Sequence, residues 1–239
     1  MITQTKSAPT ANLEALESKK VVVLLSGGID STVTAYLARR LVGSTSRLYA
    51  LSFKYNQEHD KELSYAYSTG EALGVEDHLF LEVQIPAGSS LTGQGEIPSK
   101  EVKGIPSTWV PQRNSIFLAL AFSYAEAVGA DSIYIGVNSQ DYSGYPDCRP
   151  EFITAMSTAL NLASKRFVET GKVIGIVTPL QYLHKTGIIS TGLELGIDFS
   201  NTWSCYRGGL KACGKCPSCR IRLEAFQSLG KTDPLEYEV

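Results

Sequence analysis

At 239 residues the chain can bury one full α/β core, and two independent cores would be tight. Its 43% apolar and 19% charged residues, with a mean hydropathy of −0.04, are those of an ordinary soluble globular protein and exclude a disordered chain. No apolar run approaches the roughly 20 residues needed to span a bilayer, and a formal charge of −2 with a pI near 6.0 argues against direct, stable nucleic-acid binding.

Residues 1–19 read as a flexible polar tail, in which Thr3, Thr5, Ser7 and Thr10 precede Glu14 and Glu17 and no apolar secretory segment stands out. Short apolar runs follow at 21–25, 48–53, 79–85, 133–137 and 173–177, each of a length suited to a buried strand. Between them the spacing turns helical: Val33, Tyr36, Leu37 and Leu41 mark one apolar face, and Phe117, Leu118, Ala121, Tyr124, Ala125 and Val128 another. Alternation of strand and helix predicts an α/β fold with a doubly wound, Rossmann-like parallel sheet whose ligands bind beyond the carboxyl ends of the strands.

The first strand runs straight into Leu25, Ser26, Gly27, Gly28, Ile29, Asp30, Ser31 and Thr32, and a helix starts at once. Glycines let a backbone approach a phosphate, and the free amides at a helix start favour an anion. Ser26 and Ser31 add hydroxyl donors, while Asp30 is a candidate to hold magnesium beside the phosphates or to cap the helix. The turn has no lysine, so it is not a Walker A loop and γ-phosphoryl transfer is disfavoured.

Residues 88–111 are rich in Gly, Ser, Thr and Pro without a sustained period, as in a lid or binding loop. The segment around Arg113 and Asn114 then opens a helix. After the fourth strand, Asp141, Tyr145, Asp147, Arg149 and Glu151 crowd a strand exit with donors, acceptors and an aromatic ring suited to a purine-like heterocycle, ahead of a helix expected over 151–168.

Cys205, Cys213, Cys216 and Cys219 follow the spacing C-x7-C-x2-C-x2-C, which can close a four-thiolate shell around a structural zinc ion in a reducing compartment, the cytoplasm by default. Arg207, Lys211, Lys215, Arg220 and Arg222 are placed to offset the negative charge of such a centre. A helix over 218–229 would pack from it.

The turn matches the SGGxDS signature of the PP-loop ATP pyrophosphatases, of adenine nucleotide alpha hydrolase type, which bind the ATP pyrophosphate and cleave between the α and β phosphates. With the segments VPQRN, GVNSQDYSGYPDCRPEF, PLQYLHKTGII and TWSCYRGGLKACGKCPSC, the chain closely resembles the 7-cyano-7-deazaguanine synthase family of queuosine biosynthesis over most of its length. That resemblance implies that 7-carboxy-7-deazaguanine, ammonia and Mg-bound ATP give the nitrile, AMP and pyrophosphate, in a homodimer. It implies pyrophosphate binding by residues 25–32, catalytic roles for Asp30, Arg113 and Lys185, and recognition of the heterocycle by Asp141, Tyr145, Asp147, Arg149 and Glu151. Residues 20–200 would then be the ATP- and substrate-binding domain, and 201–239 a small zinc-binding element packed on it.

Two departures from the family pattern stand out. Gln112 replaces a glycine before Arg113, and the segment after the second strand carries Lys54 and Glu58 where the family pattern differs in charge. Rival readings are a PP-loop tRNA thiolase, which would need a tRNA-binding surface and a sulfur-relaying cysteine, and a non-enzymatic ATP-binding module.

Overall fold

The computed structural model describes residues 20–43, 46–56, 59–93, 96–97, 104–138 and 144–238. The polar tail, Glu58 and Asp141 lie outside them. Five parallel strands form one sheet: β1 (Lys20–Leu24), β2 (Arg47–Tyr55), β3 (Asp77–Val83), β4 (Ser132–Tyr134) and β5 (Gly175–Val177), in the spatial order β3-β2-β1-β4-β5. The helices are α1 (Ile29–Val42), α2 (Lys61–Leu73), α3 (Arg113–Val128), α4 (Pro150–Leu162), α5 (Lys165–Thr170), α6 (Lys185–Glu194) and α7 (Pro217–Ser228). None among the described residues is long and apolar enough to cross a membrane.

A parallel sheet covered on both faces needs apolar side chains pointing both ways, which is why β1 reads as an unbroken run. Val22 and Leu24 face a core built with α3 and α4, through Leu118, Ala121, Phe122 and Ile153. Val21 and Val23 face the opposite way, onto Ala35, Ala38 and Val42 of α1 and Ala66 of α2. A third cluster joins α1 to α6 and α7 through Val33, Ile188, Ile189, Phe199 and Phe226.

The chain winds from β1 through β2 to β3, then returns to place β4 on the other side of β1. The segments leaving β1 and β4 therefore diverge and open a crevice at the carboxyl edge of the sheet. The helix expected over 151–168 is in fact two. Ser164 interrupts it, because its hydroxyl accepts from the Phe167 amide and donates to Glu126 at 2.8 Å, starting α5 in a new direction. Within the segment expected as a lid or binding loop, the Ser90 amide donates to the Ser107 carbonyl at 2.8 Å.

Candidate active site

The crevice is a cleft of about 350 Å³ whose walls come from the β1–α1 turn, the start of α2, the start of α3, the exit of β4 and the cysteine-bearing segment. The turn is shaped by its glycines. Gly27 takes φ +83, and a Cβ there would run into the Glu62 carbonyl of α2. On the other side, a Cβ at Gly136 would lie 2.9 Å from the Asp30 carbonyl, so the exit of β4 closes directly on the turn. The Ser31 hydroxyl donates to the Gly28 carbonyl at 3.1 Å and meets the Ser26 hydroxyl at 3.0 Å. The N-cap residue Gly28 has no side chain to cap α1, and uncapped amides at a helix start favour an anion.

Charges separated widely in sequence converge here. Lys185, the first residue of α6, lies 2.5 and 2.7 Å from the two Asp30 carboxylate oxygens. Asn138, wholly buried at the exit of β4, donates to Asp30 at 2.5 Å. Arg113, the first residue of α3, points toward the Tyr55 hydroxyl at 3.4 Å. Burial disfavours its charge, but Tyr55, Tyr145 and Cys148 around it more than offset this and hold the guanidinium above its ordinary value. Apolar side chains, among them Phe53, Tyr55, Phe117 and Ile135, line the cleft beside these charges.

Gln112 sets the start of α3. It alone among described non-glycine residues has a positive φ, 57°, which explains why a glycine suits this position. Its side chain accepts from the Ser115 hydroxyl at 2.6 Å. Lys54 forms an exposed ion pair with Asp60 at 3.4 Å.

The cysteine-bearing segment forms another wall, through Trp203, Ser204, Cys205 and Tyr206. Cys205, Cys213, Cys216 and Cys219 are buried with their sulfur atoms all within 4.8 Å of one another, positioned to hold a metal ion. Backbone amides of Arg207 and Cys213 point at the Cys205 sulfur, and those of Lys215 and Cys216 at the Cys213 sulfur, at 3.3 to 3.4 Å. Such donors favour thiolates, and the set fits a soft or borderline cation. Arg222 is not one of the charges that offset this centre. It is buried and binds Asp233 through two hydrogen bonds of 2.7 and 2.8 Å, with further bonds to Thr202 and Phe199. Lys211 pairs with Glu236 at 3.3 Å.

This wall touches the turn directly. The Trp203 amide donates to the Gly27 carbonyl at 2.9 Å. Lys61 of α2 lies 3.8 Å over the Trp203 ring and donates to the carbonyls of Gly209 and Leu210 at 2.8 Å.

Of the residues singled out in the sequence, Leu25, Ser26, Gly28, Ile29, Asp30, Ser31, Arg113, Lys185 and Tyr145 line the cleft together. Gly27 packs on α2, and Thr32 is buried beneath the turn. Asp147 is buried behind the cleft: its carboxylate accepts from the Asn114 amide at 3.0 Å and from Trp109 at 3.2 Å, and so caps α3 from a distant loop. Arg149 and Glu151 are exposed and do not line the cleft. Sequence reasoning missed Asn138, Tyr55, Trp203, His59 and Glu62. The last two follow the exit of β2, beside the switch point, and that placement was the available signal.

The model of the queuosine biosynthesis protein QueC family matches residues 20–230. The chain belongs to the QueC family. It is 45% identical over 229 residues to the 7-cyano-7-deazaguanine synthase of Thermoplasma acidophilum, covering 93% of this chain and 94% of that one. To the 7-cyano-7-deazaguanine synthase of Citrifermentans bemidjiense it is 48% identical over 225 residues, covering 92% and 98%. Among solved structures, NMN synthetase from Francisella tularensis superposes with a TM-score of 0.51 at 17% identity, over 90% of this chain and 79% of that one, a likeness of fold.

Proposed function

We propose that this QueC-family chain is an ATP-dependent carbon–nitrogen ligase that converts 7-carboxy-7-deazaguanine and ammonia to 7-cyano-7-deazaguanine. The observation that carries the reading is the convergence of the Ser26–Ser31 turn, the Asp30–Lys185 pair and Arg113 on one cleft with an apolar side. A carboxylate is a poor electrophile because oxide would have to leave. Adenylation replaces oxide with AMP, ammonia then forms the amide, and a second adenylation at the amide oxygen allows elimination to the nitrile. Two ATP thus give two AMP and two pyrophosphate.

The turn amides and the hydroxyls of Ser26 and Ser31 hold pyrophosphate. Asp30 is the carboxylate placed to hold the magnesium carried by ATP, an ion that supplies charge neutralisation at the phosphates. Lys185 then turns from Asp30 toward phosphate, and Arg113 meets phosphate or substrate carboxylate. Tyr145 stacks on the heterocycle, while Asp147 acts through the start of α3, which places Arg113. Zinc is the metal that a closed four-thiolate shell favours, with a structural role because no position remains for a reacting water.

Incubation with ATP, ammonia and 7-carboxy-7-deazaguanine, with no tRNA present, is expected to give AMP and the nitrile by mass spectrometry. Formation of ADP instead, or a requirement for tRNA and a sulfur donor, would contradict the reading.

A further inference from the structure

The reaction proposed above removes every hydrogen from its nitrogen: ammonia brings three, and the nitrile keeps none. Adenylation of a carboxylate releases no proton. Attack by ammonia on the acyl adenylate, adenylation of the amide oxygen and elimination to the nitrile release one each. A proton acceptor must therefore stand within reach of the nitrogen.

Among the described residues, two carboxylates line the cleft, Asp30 and Glu62. Asp30 is engaged by Lys185 on both oxygens and by Asn138. Beside Glu62 stands His59, whose Nδ1 lies 3.2 Å from the carboxylate, off the hydrogen-bond axis. His59 is itself held from the other side. Its Nε2 donates to the Cys205 carbonyl oxygen at 3.0 Å, which fixes the ring with Nδ1 toward Glu62. The Glu62 carboxylate, at the cleft beside this ring, is a receptor for an N–H hydrogen. The first turn of α2, which carries Glu62, also lies against Gly27, so this receptor neighbours the turn that would hold the phosphates.

Resting on the function proposed above, we infer that Glu62 is the proton acceptor of the reaction, with His59 as the positioning residue that orients its carboxylate. In the first half, the ammonia lone pair forms the C–N bond, the C–O bond to phosphate breaks with its electron pair on AMP, and one N–H proton passes to Glu62. In the second half, the amide oxygen displaces pyrophosphate from ATP as a second N–H proton is taken. Breakage of the resulting C–O bond then releases AMP and completes the C≡N bond as the last proton leaves. Each proton passes to solvent before the next is accepted. Burial, the largest influence, pushes the Glu62 carboxyl above its ordinary value, against the pull of His59, its own backbone amide and Arg113, while Asp60 adds to the rise. A raised value makes a carboxylate a better base near neutrality.

Two assays on Glu62→Gln and Glu62→Asp separate this role from any other. Pyrophosphate–ATP exchange with 7-carboxy-7-deazaguanine reads the first adenylation alone, and nitrile formation with ammonia reads the proton-releasing steps. Glu62→Gln is expected to keep exchange close to that of the unaltered protein while nitrile formation falls by about 10²- to 10⁴-fold. Glu62→Asp, which keeps a base, recovers part of the loss. His59→Asn lowers kcat for the nitrile and leaves the KM for ATP in place. Nitrile formation by Glu62→Gln at the normal rate overturns the assignment, as does a parallel loss of exchange, which would place Glu62 in nucleotide binding. If the unaltered chain shows no exchange at all, the proposed function falls and takes the Glu62 assignment with it.

Discussion

On the sheet side of the cleft, Val21, Val22, Val23, Leu48, Ala50 and Leu51 are wholly buried, and the wall they support rests on many interchangeable apolar contacts. On the cysteine side, the cluster around Trp203 is made largely of Cys205, Cys213, Cys216 and Cys219, and the chain beyond it is held by Arg222 on Asp233. Asp233 also accepts from the Tyr237 hydroxyl at 2.6 Å and the Leu235 amide at 3.0 Å. Each valine or leucine buried in the first wall contributes about 1.5–3 kcal/mol, so the loss of one is spread over many neighbours. The second wall depends on a few directional bonds. It should fail at single positions, and through Trp203 and Gly27 its failure should reach the glycine turn after β1.

The largest effect expected is from metal removal. A structural metal contributes on the order of 10 kcal/mol in small zinc domains. Chelation, or Cys216→Ser, is therefore expected to abolish hydrogen-exchange protection over 202–238 while β1 and β2 keep theirs, and to weaken ATP binding. Equal protection of both walls in demonstrably metal-free protein would show that the second wall does not depend on the metal. Arg222→Ala comes next, because it leaves Asp233 charged and buried without its partner; denaturant unfolding should show a loss of about 3–5 kcal/mol. A loss below about 1 kcal/mol, the scale of an exposed ion pair, would show that this staple is dispensable.

A smaller effect belongs to the sheet side. His78 on β3 bonds the Ser52 hydroxyl at 2.8 Å and stacks on Phe80. Burial, opposed by Asp77, lowers its pKa to about 4 from an ordinary value near 6.5. Between those values the unfolded chain takes up a proton and the folded chain does not. Stability is thus full above about pH 6.5 and declines toward pH 4, and His78→Asn should flatten that slope in pH-dependent melting curves. Smallest is Gln112→Gly, which relieves a left-handed backbone at the loss of the Ser115 bond and should stabilise by about 0.5–1 kcal/mol. A decrease would mean that the Gln112 side chain matters more than its backbone.

The sheet side was the legible one. Its strands appear as apolar runs, its helices as periodic faces, and the turn as a strand–glycine–helix junction, because each is a local pattern read over a few residues. The four cysteines were legible for the same reason. What escaped depends on long-range placement. Asp147 looks like a heterocycle ligand beside Tyr145, yet its carboxylate caps α3 across 33 positions. Arg222 looks like one more basic residue near the thiols, yet it meets a carboxylate that arrives from beyond α7. His59 and Glu62 stand three apart at the start of a helix, a spacing common on any surface, and only the packing of α2 against the turn brings them to the cleft.

If the turn, not the cysteine wall, carries the AMP-forming chemistry proposed above, Asp30→Ala separates the two when AMP release and bound metal are measured on the same sample. AMP release is expected to be lost while the metal content of the chain stays unchanged. Normal AMP formation by this variant would contradict the role given to the turn.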